Sequence, residues 1–152
     1  MAETVKRSAV PVEVEWVLRI ALGSLFIYAG ASKLPDLEQF FWDVHHFGLT
    51  PWDVSIVLAM FLPWLEIFAG LAVLVGRWLR NGGLLMVGAL SLVFLAAIAS
   101  AWWRGLDITC GCFGKEENAT NYPKHLALNA GMLLASSALA WVQSRNKGEP
   151  PP

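Results

Sequence analysis

The residues best suited to chemistry are the only two cysteines of the chain, Cys110 and Cys112, which are separated by Gly111 and followed by Phe113 and Gly114. A disulfide between positions i and i+2 needs a Cα separation under about 6.8 Å, and only a tight bend, of the kind Gly111 and Gly114 permit, provides it. So small a ring removes little entropy from the unfolded chain, which makes it a poor staple. Strain and exposure raise a disulfide's reduction potential and speed its exchange. Three uses therefore compete for the pair: thiol–disulfide exchange, a structural turn or unpaired thiols, and metal binding with His45, His46 or His125. Metal binding is the weakest, because Cys-x-Cys lacks zinc-knuckle spacing and the histidines fall in separate segments. We expect no metal.

Two charges inside apolar runs form the second candidate group, Arg19 and Glu66. If Lys33 marks the end of one span and Val54 the start of the next, the two charges are level, and an Arg19–Glu66 ion pair would answer the desolvation of both. Pro63, just ahead of Trp64 and Glu66, would add a kink beside it. The pair reads either as a clamp between helices or as a ligand or proton site.

The elements that must position these groups follow from where charge is missing. Of 152 residues, 56% are apolar and only 15% charged, and the mean hydropathy is +0.51. A soluble domain usually carries roughly 25% charged residues. Uncharged or nearly uncharged runs at 16–34, 54–76, 82–104 and 122–142 are each long enough to cross, or nearly cross, a bilayer core of about 30 Å. The expected fold class is all-α, a four-transmembrane-helix bundle in one domain over 14–142, with tails at 1–13 and 143–152. Lys6 and Arg7 before the first run resemble a signal peptide, but Glu13, Glu15 and Arg19 make a poor secretory core, so the run is read as an uncleaved span.

Lys6, Arg7, Arg77, Arg80, Arg145 and Lys147 would lie on one side, against Lys33, Arg104, Lys115 and Lys124 on the other. By the positive-inside rule both termini are then cytoplasmic, and the cysteines face the side where disulfides persist. The loop from Ser32 to Asp53 mixes Phe40, Phe41, Trp42 and Phe47 with Asp36, Glu38, Asp43, His45 and His46, which suits a short helix in the interface with its apolar side down. Gly23, Gly30, Gly70, Gly88 and Gly131 would allow close helix approach. A formal charge of −1 leaves no electrostatic footprint for nucleic acid.

The order Arg19, Leu22-Gly23, Phe26, Gly30, Lys33-Leu34, Phe40, Pro51, Leu62-Pro63-Trp64-Leu65-Glu66, Gly70 and Cys110-Gly111-Cys112-Phe113-Gly114 resembles the MauE branch of the DoxX-like integral membrane proteins, over roughly Trp16 to Val142. The resemblance implies a four-helix bundle in a bacterial inner membrane that helps mature the disulfide-rich small subunit of methylamine dehydrogenase alongside an extracytoplasmic thioredoxin-like partner. On this reading Cys110 and Cys112 are the exchanging pair, and electrons leave through the bundle to a quinone held near Trp64, Glu66 and the first outer loop. The alternative is a non-catalytic DoxX-like subunit or scaffold of a respiratory or sulfur-oxidising complex.

Overall fold

The computed structural model describes residues 12–75, 79–106 and 122–146. Four long helices and one short one make up the described chain: α1 (Val12–Lys33), α2 (Leu37–His46), α3 (Trp52–Val75), α4 (Arg80–Trp103) and α5 (Tyr122–Asn146). Four stretches are long and apolar enough to cross a membrane, and the first of them runs on from α1 into α2. The four-helix bundle expected from the uncharged runs is what the chain builds. Its long helices expose large apolar side chains, Val17, Tyr28, Phe61, Trp64, Phe68, Leu85, Val93 and Leu134 among them. Such a surface suits lipid and not water.

The turns follow from local sequence. Pro35 opens a 3-10 turn over Leu34–Asp36, and the Asp36 carboxylate then caps α2 by accepting from the Gln39 amide at 3.1 Å. Gly48 and Gly105 take positive φ angles of 60° and 64°, which suit glycine, and end α2 and α4. At Gly105 the closure is a Schellman motif: its amide donates to Trp102 O at 3.0 Å, and the Leu106 amide donates to Ala101 O at 3.1 Å.

Small residues set the register between helices. A Cβ on Gly23 would lie 2.6 Å from Leu74 Cγ, and one on Gly70 would lie 2.6 Å from the Gly23 carbonyl oxygen. Gly30 abuts the Pro63 carbonyl in the same way, 2.8 Å from Ile67 Cγ1. The backbones of α1 and α3 therefore touch along an antiparallel line. Gly83 packs on Ala72 and Val73, joining α4 to α3, and a Cβ on Gly88 would lie 3.3 Å from Ser136 Oγ of α5. Gly131, also expected to aid packing, has nothing near it among the described residues. Each long helix runs antiparallel to the next, so Val12 and Asn146 lie at one end of the bundle, the terminal end, and α2 lies at the other.

In this register Lys33 stands level with Met60, not with the start of α3. About 12 Å of α3, from Trp52 to Met60 at 1.5 Å per residue, continues beyond the end of α1. The connector helix covers that length. It packs on α3 and buries Phe40 and Asp43, so the face it turns inward carries an acid as well as an aromatic ring, unlike the purely apolar underside expected.

Candidate functional site

The stagger of α1 against α3 decides which cation meets Glu66. Glu66 is 1% exposed, and its carboxylate accepts from Lys33 Nζ at 2.7 and 2.9 Å. Lys33 is 3% exposed, and its Nζ also donates to the Ala29 carbonyl at 3.0 Å. Two rings flank the ammonium, Phe40 of α2 at 5.5 Å and Phe94 of α4 at 5.7 Å, within cation–π range. Four helices thus contribute to one buried ionic site. Its attraction acts in low dielectric, where breaking a pair is far more damaging than at a surface.

Arg19 does not form the ion pair expected with Glu66. Its guanidinium donates to Val73 O at 3.0 Å and to Leu74 O at 3.1 Å, and stacks 4.6 Å from the Trp16 ring. These carbonyls belong to the last described turn of α3, so Arg19 ties that turn to α1 through its side chain. The expectation failed because the two spans were aligned at their ends. The glycine contacts place Arg19 level with Leu74, about 12 Å from Glu66 along α3. The residue taken as an end marker is the deep cation, and the residue taken as deep sits near an end.

Trp64 does not join Glu66 either. Two residues apart on a helix, they point about 200° around the axis from each other. Trp64 is 50% exposed on the lipid side, while Glu66 faces the interior. A single quinone pocket lined by both side chains is not what α3 builds.

At the α2 end, Arg104 ties the end of α4 to the α2–α3 connection by donating to the Phe47 carbonyl. Ser55, fully buried, accepts or donates at Thr50 Oγ1 (2.8 Å) and donates to Pro51 O at 3.2 Å. His45 Nδ1 approaches the same hydroxyl at 3.4 Å. Phe41, Trp42, His45 and Trp52 form a continuous edge-to-face and stacked cluster beside it. On α5 the buried face carries His125 and Asn129, whose Nδ2 donates to His125 O at 3.0 Å. No group of three or more His, Cys, Asp or Glu is placed to hold a metal among the described residues. Cys110 and Cys112 lie outside the described residues.

Sequence reasoning missed Lys33 and Ser91 as interior polar groups. For Lys33 a signal existed: Gly30 and Pro63 each precede a charge by three residues, and the close approach that Gly30 permits brings the two charges together.

Residues 12–142 match the family described as "Methylamine utilisation protein MauE". The chain belongs to the MauE family. Among curated proteins it is 39% identical to a methylamine utilization protein MauE of Paracoccus denitrificans over 82% of this chain and 66% of that one. It is 36% identical to the Methylorubrum extorquens MauE over 82% of this chain and 67% of the other, and 38% identical to the Paracoccus versutus MauE over 66% and 54%. The chain thus spans between about half and two thirds of the length of these relatives. No solved structure matches it. Family and helices together make it a multi-pass membrane protein of the MauE type. The Lys33–Glu66 pair, Phe40 and the Leu-Pro-Trp-Leu-Glu block all lie within the matched residues.

Proposed function

We propose that this MauE-family protein forms disulfides in an extracytoplasmic partner, with Cys110 and Cys112 as the exchanging pair. A thiolate of the reduced partner attacks one sulfur of the Cys110–Cys112 disulfide, a mixed disulfide forms, and the other cysteine leaves as a thiolate. A second partner thiolate then attacks the mixed disulfide. The partner ends oxidised by two electrons, and Cys110 and Cys112 end as two thiols. A lipid-soluble quinone taking two electrons and two protons would restore the disulfide.

One observation supports this reading above the others. Leu106 and Tyr122, the described residues on either side of the cysteine segment, sit at the end of the bundle opposite Val12 and Asn146. The basic residues at the terminal end support a cytoplasmic placement of the termini in a bacterial inner membrane, and with it a cysteine segment on the oxidising side. On this reading the client is a disulfide-rich dehydrogenase subunit approached through a thioredoxin-like protein, a choice supported by the family's tie to methylamine utilisation.

The test is trapping. Cys110→Ser and Cys112→Ser, made singly in membranes, should yield one variant that accumulates a reductant-sensitive adduct with the partner and fails to mature the client. Normal maturation with no adduct from either variant would overturn the proposal. A second reading, a membrane subunit with no chemistry of its own, draws on the closed Lys33–Glu66 pair, which fastens α1 to α3 whatever the cysteines do. It predicts silent cysteine replacements and loss of the protein from membranes when Glu66 is changed to Ala.

A further inference from the structure

Ser91 behaves unlike Ser32, Ser55 and Ser136. Ser32 donates to Ala29 O at 2.9 Å, Ser55 to Pro51 O at 3.2 Å and Ser136 to Leu133 O at 2.9 Å, each bonding back to its own helix. Ser91 is 0% exposed, yet its hydroxyl has no hydrogen-bond partner among the described residues. A buried hydroxyl left in this way is unfavourable when a back-bond is available one turn away.

Glu66 shows the complementary shortfall. A carboxylate offers about four lone-pair sites. Among the described residues both of its oxygens are served by one donor, the Lys33 ammonium, at 2.9 and 2.7 Å. The two residues share a level. Counted from the contact of Gly83 with Ala72 and Val73, Ser91 and Glu66 rise the same distance toward the α2 end within about 2 Å. Both face the interior, and Phe94, one turn beyond Ser91 on the same helix, has its ring 5.7 Å from Lys33 Nζ.

We propose that Glu66 and Ser91 hold a water molecule between them inside the bundle. The water donates to a Glu66 lone pair that Lys33 does not use, and exchanges its second bond with the Ser91 hydroxyl. A site with two or more polar partners is what an internal water requires. No step of it involves the cysteines, so it stands or falls apart from the redox proposal.

The experiment is infrared spectroscopy of the full chain in lipid nanodiscs, exchanged between H2-16O and H2-18O, with melting followed in parallel. An 18O-sensitive stretch of an isolated internal water is expected in the parent protein and in a Cys110→Ser/Cys112→Ser background, and it should vanish in Ser91→Ala. The same substitution should lower the melting midpoint by about 2–4 °C, since a bridging bond is lost. An unchanged 18O-sensitive band in Ser91→Ala, or none in the parent, overturns the proposal. So does a higher midpoint in Ser91→Ala, the result expected if the hydroxyl were simply unpaired. Ser91→Thr, which keeps the hydroxyl, should retain the band.

Discussion

The two ends of the bundle are held by different physics. Toward the terminal end the interior is apolar: Leu22, Phe26, Ala69, Val73, Leu84, Val87 and Leu139 pack as one cluster, and the cation there, Arg19, donates to helix carbonyls. Toward the α2 end the interior holds Lys33, Glu66, Asn129, His125, Asp43 and Ser55. An apolar cluster tolerates small volume changes. A buried ionic group tolerates no loss of its partner. The terminal half is therefore the scaffold, and the α2 half is where substitutions should be abrupt.

Breaking the ion pair is the sharpest trial of that contrast. Lys33→Ala leaves Glu66 buried without its cation and should destabilise by about 3–5 kcal/mol, seen as loss of folded protein from membranes or a collapsed melting midpoint in detergent. Replacing Lys33 and Glu66 together by Met should recover much of the loss, so that the two effects are strongly non-additive. Additive effects would mean the halves do not differ as described. Next in size, Gly30→Ala forces a Cβ onto the Pro63 carbonyl and Ile67, and should cost about 1–3 kcal/mol in the same melting assay. Arg19→Met removes the bonds to the Val73 and Leu74 carbonyls and should cost about 1–2 kcal/mol. The smallest effect belongs to Gly131→Ala, which meets nothing within 4 Å and should change stability by no more than about 0.5–1 kcal/mol, in the stabilising direction.

The bundle itself was legible because uncharged runs of bilayer length leave few other folds. What could not be read was the register. The depth of a charge was counted from the nearest run end, and that count assumes that consecutive spans begin at the same height. Here α1 slides about 12 Å toward the terminal end, because Gly23 meets Gly70 and Gly30 meets Pro63, and a contact between particular small residues leaves no mark in hydropathy. The consequence reaches the site, because counting from run ends pairs Arg19 with Glu66 and leaves Lys33 at a boundary. Trp64 was grouped with Glu66 by nearness in sequence, although a spacing of two residues separates faces on a helix. The connector helix was legible in kind, and the Asp36 cap suits its start, but its buried Asp43 was not.

The sliding of α1 has one more outcome, felt by the lipid. On the α2 side, acyl chains beside α1 run out of α1 wall where Lys33 turns inward, and meet the half-exposed Trp42 and Leu37 of α2 instead. Chains beside α3 find helix wall for about two further turns. The annulus around this protein should be thinner on one flank than on the other, a lopsided dimple that favours shorter acyl chains there.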